Sequence, residues 1–369
     1  TQIRTWKGRV PGFDLTFSAP KSVSVMYAFG DVLTRNDIVE ALDCAVGEAM
    51  RWLEREACFV RRGSNNRDAK TAPFEHWGTR RVHAAGFIAA GFNHRTSRAG
   101  DPQLHTHVLV ANLTKGPDGR WSALDGQALY RSKIAAGTVF QTALRNELSR
   151  RLGVEWLPVT GGVADIAGIP RRVLKHFSKR RNEIETELER TGRTGGAAAA
   201  DATLATRTTK LDIDQDTLDE TWRDDGATID YGCDDIDQLL TNARPIPAAP
   251  VLRADSTVAI RPSTRHRSCD RVEEVSIEEF ASMVAYGLPE RDATITRHEV
   301  QNAVAEQLSE HNNTALLERL TDAVLAHREL VPVPTPTSAE AGWEQQWTTR
   351  RLLALEAELT QLFQPEPDP

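Results

Sequence analysis

Residues 94–113 read His94-Arg-Thr-Ser-Arg-Ala-Gly-Asp-Pro-Gln-Leu-His105-Thr-His107-Val-Leu-Val-Ala-Asn-Leu113. Alternate side chains of a strand share one face, so this spacing points His105 and His107 the same way, with Cα atoms about 6.7 Å apart. His94 closes an earlier apolar run, and the polar loop that follows it can turn the chain back. The pattern predicts two adjacent strands, at about 79–93 and 103–113, that bring three imidazoles to one point.

Three clustered histidines predict a metal site with open coordination positions, as in a catalytic rather than a structural site. A lone strand histidine is more often a core residue bonded to backbone, and that alternative remains for each one taken singly. Leu109 and Val110 stand where a His-x-His-x-Asp-His hydrolase has its acid and histidine. No glutamate suited to a cupin-like oxygenase follows before Glu147. Without a nearby carboxylate, the cation keeps its positive charge for an anionic substrate such as a phosphate.

A second informative stretch is Phe13-Asp-Leu-Thr-Phe-Ser-Ala-Pro-Lys-Ser-Val-Ser-Val25. Aromatic and aliphatic residues alternate with Asp14 and Thr16, which predicts a short strand with these two residues on its polar face. Ser18 is expected to cap the helix that follows, with Pro20 in its first turn. Taken alone, Asp14 is either a surface residue or a catalytic acid.

Together the two stretches resemble the relaxases of the TrwC/TraI type, the MobF class of conjugative DNA-nicking enzymes among the HUH endonucleases. The resemblance covers about residues 10–225. The segments that carry it are Asp14–Ser24, His94–Asn112, Trp121–Asp125, Glu147–Gly153 and Gly168–Arg181.

The resemblance implies roles for four residues and a reaction. His94, His105 and His107 correspond to a triad that binds one divalent metal ion, either Mg, Mn or Zn. Asp14 corresponds to the acid that orients a triad histidine and assists deprotonation of the nucleophile. In this family a tyrosine hydroxyl attacks single-stranded DNA at a transfer origin, and a 5′-phosphotyrosine forms while a 3′-hydroxyl leaves. The same site can rejoin the strand.

The implied partners are single-stranded or hairpin DNA of a transfer origin, relaxosome proteins and the coupling machinery of a type IV secretion system. The implied fold is α+β, with an antiparallel palm-like sheet and helices packed on it, followed here by a small helical unit. Strands and helices mixed around a central hairpin agree with that class.

The nucleophile departs from the family pattern. The resemblance implies tyrosines upstream of the Asp14 strand, and no tyrosine precedes Tyr27 in this sequence. Tyr27 lies in an apolar helical stripe, and Tyr130 lies in the approach to another helix. The expectation is a relaxase fragment that binds metal and DNA but has no nucleophile in the chain. A non-catalytic transfer-origin-binding remnant is the second hypothesis. A metal hydrolase of small substrates is the third, which the missing acidic partners disfavour.

Charge is distributed unevenly along the 369 residues. Residues 1–187 carry 28 Lys and Arg against 19 Asp and Glu, a net charge of +9, whereas residues 188–369 carry 17 against 33, a net charge of −16. A basic half suits a phosphate backbone and predicts binding that weakens with salt. Lys21, at the start of its helix, and Arg98, beside the histidines, are the candidate DNA contacts.

The four cysteines are scattered without Cys-x-x-Cys spacing. This favours reduced thiols in a cytoplasmic protein over a disulfide framework or zinc finger. No apolar run approaches the roughly 20 residues that span a membrane, so no membrane insertion is expected.

Helices are predicted from apolar periodicity and capping patterns. One should open with a capping box at Thr34 and another should be capped by Ser132 and stopped by Gly153. A third should run from Pro170 to about Arg190.

The chain is expected to divide into residues 1–225, an N-terminally incomplete relaxase domain, and a linker at 226–275 rich in Asp, Pro and Arg. A compact helical module at 276–330, with capping boxes at Ser276 and Thr296, could be winged-helix-like. Residues 331–369 are expected to form a linker and a terminal helix from Trp343, leading in relatives toward a helicase. No Gly-x-x-x-x-Gly-Lys-[Ser/Thr] phosphate loop occurs, so no ATPase is predicted.

Overall fold

The structure of the protein is a computed structural model. It describes residues 10–62, 80–206, 214–243, 257–260, 273–288, 293–308, 314–334 and 345–362. In chain order the elements are β1 (Gly12–Ser18), α1 (Lys21–Phe29), α2 (Val32–Ala57), β2 (Phe59–Arg62), β3 (Arg80–His83), β4 (Ala89–Thr96), β5 (Pro102–Ala111), β6 (Thr114–Lys115), β7 (Trp121–Ser122), α3 (Gly126–Leu152), α4 (Arg171–His176), α5 (Lys179–Thr191), α6 (Gly196–Ala205), α7 (Gln215–Ala227), α8 (Cys233–Asn242), β8 (Thr257–Ile260), β9 (Glu273–Ser276), α9 (Ile277–Gly287), β10 (Ile295–Thr296), α10 (Arg297–Gln307), α11 (Thr314–Leu325), β11 (Leu330–Pro332), β12 (Gln346–Thr349) and α12 (Arg350–Leu362).

An antiparallel sheet with strand order β1-β5-β4 lies at the centre of the N-terminal part. Its two faces follow from strict alternation along β5, where Leu104, Thr106, Val108 and Val110 are buried and the residues between them are more exposed. The buried face packs against the helices, and the opposite face carries the histidines. The predicted α+β class, with helices packed on an antiparallel sheet, is confirmed.

Helices α2 and α3 pack on each other and cover the buried face of the sheet. Apolar side chains on the facing sides of both helices are buried, with Leu42 and Leu144 at 1% and 0% exposure. Phe17 of β1 meets Phe140 of α3 with ring centroids 5.4 Å apart. Each such buried aliphatic or aromatic side chain contributes about 1.5–3 kcal/mol to folding, so this layer holds the sheet that carries the site.

The prediction of one continuous strand over residues 79–93 is wrong, because two separate strands, β3 and β4, occupy that range. Strand β3 pairs with β2 in a separate two-stranded sheet, and only β4 joins the histidine hairpin. The extended strand conformation is interrupted between β3 and β4 at Gly86, whose φ is +149°. The amide of Phe87 donates to the Glu54 carboxylate on α2. The residues between the two strands are apolar or small like the first residues of β4, so the sequence pattern did not indicate the interruption.

Two helix starts were also predicted too late. Helix α2 begins after Asp31, whose carboxylate accepts from the Thr34 amide, so Thr34 lies within the first turn. Helix α3 begins after Asp125, whose carboxylate accepts from the Gln127 amide, and Ser132 is buried inside the helix. Asp is as good an N-cap as Ser or Thr, and here the earlier acid takes the position. The predicted stop of α3 at Gly153 is confirmed, since Gly153 has a left-handed φ of +69°.

Ser18 does not cap helix α1. It remains the last residue of β1, paired with His105, and Pro20 occupies the cap position without a side-chain hydrogen bond. The helix predicted from Pro170 to about Arg190 does start after Pro170, but it breaks at Phe177 and Ser178 into α4 and α5. Phe177 is fully buried, which fixes the corner between the two helices.

The interval 226–275, expected to be a linker, contains ordered elements. Helix α8 lies within it, and Ile236 of that helix is fully buried in the main core together with the neighbouring Tyr231. Residues 244–256 and 261–272 lie outside the described residues. The division of the chain into domains at 225 and 275 stays a prediction.

The unit beyond residue 273 contains the helices α9, α10 and α11, and both of its predicted capping boxes, Ser276 with Glu279 and Thr296 with Glu299, are confirmed. It also contains a small antiparallel sheet of order β10-β12-β11. The elements of this unit follow in the order α9-β10-α10-α11-β11-β12, which is that of a winged helix. We refer to it as the winged-helix-like unit. The terminal helix α12 starts only at Arg350, because β12 occupies the residues before it.

This unit packs against the outer side of helices α2 and α3. The rings of Trp52 and His298 lie 5.6 Å apart, and Thr138 donates to the side-chain oxygen of Asn302 at 2.5 Å. Arg55 pairs with Glu318 at the same contact. The winged-helix-like unit therefore sits on the opposite side of the helical layer from the sheet. Among the described residues, no helix is both long enough and apolar enough to cross a bilayer.

Candidate metal centre

The structure brings the three predicted histidines together on the open face of the sheet. His94 of β4 lies directly opposite His105 of β5, and His107 follows two residues later on the same face. The ring centroids are 5.0–5.2 Å apart. Their candidate ligand nitrogens all lie within 4.8 Å of one another.

Hydrogen bonds orient two of these rings. Nδ1 of His105 lies 2.8 Å from the Gln103 carbonyl oxygen. Because a carbonyl can only accept, this Nδ1 carries the proton and the lone pair lies on Nε2. Nδ1 of His107 lies 2.8 and 3.0 Å from the two oxygens of Asp14, and Oγ1 of Thr16 is 3.1 Å away. The contact with a carboxylate again places the lone pair of His107 on Nε2.

This donor set fits a divalent cation. Neutral imidazoles with one nitrogen fixed by a carboxylate or a backbone carbonyl are the usual arrangement of metal-ligating histidines. Nitrogen ligands favour zinc or manganese, whereas phosphate oxygens of a substrate would suit magnesium. All three histidines are half-buried, so a cation held here would remain accessible to a substrate.

Asp14 holds His107 from outside the triad, and its removal tests that role. We expect Asp14→Ala to weaken Mn²⁺ binding about 10–100-fold, as is typical when an outer carboxylate partner is lost. Isothermal titration of the purified variant measures this. Asp201→Ala removes an exposed carboxylate that pairs with Arg193 and should leave the affinity unchanged. Equal affinities for Asp14→Ala and the unaltered chain would contradict the role.

The turn between β4 and β5 is anchored from several sides. The Ser97 amide donates to the Asp101 carbonyl at 2.9 Å. The Asp101 side chain, 2% exposed, accepts from the Arg180 amide at the start of α5. Nε1 of Trp222, on α7, donates to the Gly100 carbonyl at 2.9 Å, and Trp222 is 1% exposed. Helices α5 and α7 thus fix the loop that joins the first and second histidine ligands.

Lys21 serves the same turn from α1. Its Nζ donates to the Pro102 carbonyl at 2.8 Å. Burial lowers the pKa of this amine to about 8, while the nearby Asp101 and Asp165 oppose that shift. Burial also raises the pKa of the Asp101 carboxyl, against the pull of Lys21 and other donors. Lys21 therefore supports the hairpin backbone, whereas Arg98 lies exposed in the turn. Their contact with DNA stays a prediction.

The four tyrosines lie in different environments, which bear on the question of a nucleophile. Tyr27 and Tyr231 are 6% and 5% exposed in the core, and burial raises the pKa of Tyr231. Tyr130 is 70% exposed but packs edge-on against Phe13, on the helical side of β1. Tyr286 lies on α9 in the winged-helix-like unit, next to His327. Tyr27, Tyr231 and Tyr286 thus lie away from the histidine face, whereas Tyr130 lines a cavity at the edge of β1 together with Asp14 and Thr16.

Sequence reasoning missed Trp222 and the buried Asp101. Trp222 lies 122 residues from its partner Gly100, so no local pattern could connect them. Asp101 stands before a proline in a polar loop, where a solvent-exposed turn residue is the usual interpretation.

Comparisons with known proteins agree with this site. A family model described as TrwC relaxase matches residues 2–229. The multifunctional conjugation protein TraI of Escherichia coli is 33% identical over 224 residues, which is 58% of this chain and 11% of that protein. The TraI of strain K12 is 32% identical over the same length. The chain thus spans about a ninth of the length of these curated relatives.

Solved structures of the conjugative relaxase TrwC are also similar. The metal-free complex with OriT DNA has a TM-score of 0.53 and 30% identity, over 60% of this chain and 75% of that one. The metal-bound complex has a TM-score of 0.52 and 30% identity, over 60% and 73%. With the family model covering more than half of its residues, the chain belongs to the TrwC relaxase family.

Proposed function

We propose that this chain is the DNA-processing part of a conjugative relaxase, which nicks and rejoins single-stranded DNA at a transfer origin by metal-dependent transesterification. The observation that carries the proposal is the convergence of three imidazoles on the open face of the sheet. The relatives are a conjugation protein and a relaxase bound to OriT DNA, which supports the same class of substrate. We further propose relaxosome and type IV coupling proteins as partners, in the cytoplasm.

The triad histidines and Asp14 have different roles in this reaction. His94, His105 and His107 would hold one divalent cation, which when bound polarises the non-bridging oxygens of a phosphodiester. Asp14 fixes the His107 ring and keeps a side chain that is half exposed, so it can accept the proton of an attacking tyrosine hydroxyl. The tyrosine oxygen forms a bond to phosphorus, and the bond to the 3′-oxygen breaks. That oxygen leaves as a hydroxyl after taking a proton.

The positions of the four tyrosines favour a second candidate for this chain acting alone, a non-catalytic module that binds transfer-origin DNA without cleaving it. Two are buried in the core, Tyr130 lies on the helical side of β1, and Tyr286 lies in the winged-helix-like unit. We therefore propose that the hydroxyl for cleavage is not one of these four.

A labelled single-stranded oligonucleotide tests both candidates. We expect the chain to bind it more tightly with Mn²⁺ than with EDTA. Affinity should fall steeply with salt, with a slope of about −0.7 for each phosphate neutralised. On a denaturing gel no labelled protein band should form.

The controls separate the two claims. His105→Ala should lose only the metal-dependent part of binding. If metal made no difference to the unaltered chain, the proposed metal-assisted DNA chemistry would be wrong. A covalent band that survives denaturation and is absent from Tyr130→Phe would identify a nucleophile within this chain and overturn the second candidate.

A further inference from the structure

The open face of the sheet carries apolar side chains beside the histidines. Phe92 of β4 lies directly opposite His107, so the two share a face and a row of the sheet. Leu109 lies opposite both Asp14 and Ala90, in the next row. Diagonal neighbours in adjacent strands lie about 7–8 Å apart, within reach of an aromatic side chain. Phe92 and Leu109 therefore form one apolar strip along the triad.

This strip is unusual for its place. Both side chains are 49% exposed, whereas Phe17, on the other face of the sheet, is buried against the helices. The solvent face of an antiparallel sheet is ordinarily polar. Contiguous exposed apolar surface that is rimmed by polar groups is typical of ligand-binding and interaction sites. We therefore expect the strip to bind a ligand that has an apolar face.

The neighbouring groups define the chemistry of that occupant. Three neutral imidazoles leave the charge of a bound cation uncompensated, and Asp14 is the one carboxylate that β1, β4 and β5 place on this face. An anionic group therefore belongs at the triad, with a flat apolar group about one strand repeat away, roughly 6–7 Å. A nucleotide joins a phosphate and a planar base across a short sugar.

We propose that Phe92, with Leu109 beside it, is a stacking subsite for one unpaired base of the DNA strand whose phosphate lies at the triad. This inference rests on the proposed function and names the base-binding part of that same site. Aromatic stacking with a base is worth about 1–3 kcal/mol and tolerates any base, because every base has a π-face. The subsite would fix the register of the strand without reading its sequence.

The test compares two ligands of equal charge on the full chain with Mn²⁺. One is a labelled 12-nucleotide oligo-dT, and the other is an abasic oligonucleotide of the same length. The unaltered chain should prefer oligo-dT, and Phe92→Ala should lose about 5- to 150-fold in affinity for it, as the stacking energy predicts. Its affinity for the abasic strand and its Mn²⁺ binding should not change.

Two further variants keep the test specific to the ring. Phe92→Trp should retain the preference for bases, whereas Phe92→Leu should lose most of it. Tyr286→Ala removes a ring of similar exposure, 46%, in the winged-helix-like unit and should change nothing. If Phe92→Ala lost affinity equally for both ligands, the strip would be a structural or protein-docking surface and the stacking subsite would be wrong.

The outcomes also separate this inference from the proposed function. Metal-dependent binding of both oligonucleotides with equal affinity would leave the triad and phosphate chemistry intact and overturn only the stacking subsite. Absence of metal-dependent binding to either ligand would overturn both.

Discussion

Replacing His105 with alanine should remove metal binding almost completely. The unaltered chain should take up about one Mn²⁺, and His105→Ala should weaken binding by more than about 100-fold. Loss of an outer-sphere partner alone costs about 10–100-fold, and His105 would be a direct ligand, with its ring 5.1 and 5.2 Å from the other two. Isothermal titration and the electron paramagnetic resonance of free Mn²⁺ both report the loss.

His83→Ala is the matched control for this experiment. His83 is exposed on β3, and its ring nitrogens contact the backbone carbonyls of Arg55 and Ala84 rather than other histidines. Its loss should leave the Mn²⁺ affinity unchanged. Retention of full affinity by His105→Ala would show that the three rings do not share an ion, and the assignment of the site would fail.

Among residues outside the metal site, Trp222 should show the largest effect of substitution on stability and on Mn²⁺ binding. Trp222→Ala should lower the free energy of unfolding by about 3–5 kcal/mol, because it empties a fully buried aromatic site. Trp222→Phe should cost about 1–3 kcal/mol, because the Gly100 carbonyl loses its donor while most of the volume remains. Urea unfolding followed by circular dichroism measures both. Since Gly100 lies in the turn between the metal-binding strands, Trp222→Phe should also weaken Mn²⁺ binding.

The control for Trp222 is Trp121, which is 58% exposed on β7. Trp121→Phe should change the unfolding free energy by no more than about 0.5 kcal/mol, as is usual for surface positions. If Trp222→Phe cost as little as this control and left Mn²⁺ binding unaltered, the turn would not depend on α7.

The histidine site was predictable because its signal is local. The period of two along β5 and a short polar turn place His94, His105 and His107 on one face whatever the rest of the chain does. The partner of His107 was predictable only through the family resemblance, because strand pairing between Asp14 and the hairpin spans 93 residues. Pairing at that separation depends on tertiary packing, which composition does not encode.

Helix boundaries and the region beyond 225 were harder for different physical reasons. Asp31 and Asp125 cap their helices although later Thr and Ser residues offered similar caps, and side-chain chemistry alone does not rank them. Helix α8 lies in an acidic stretch, and it packs on the core through the fully buried Ile236 and the partly buried Leu239 and Leu240. Their spacing of i, i+3 and i+4 is a helical pattern, but it is short and the acidic composition around it favoured the interpretation as a linker.

The reach of α7 into the β4–β5 turn sets a lower limit on how far the protein can be shortened for laboratory work. A version ending at residue 206, after α6, would keep the three triad histidines and the Asp14 strand. It would nevertheless uncover the Gly100 carbonyl and remove the Asp219 partner of Arg35. A shortened version should instead end no earlier than Asn242, where α8 ends. The loop between His94 and His105 then keeps its hydrogen bond from Trp222.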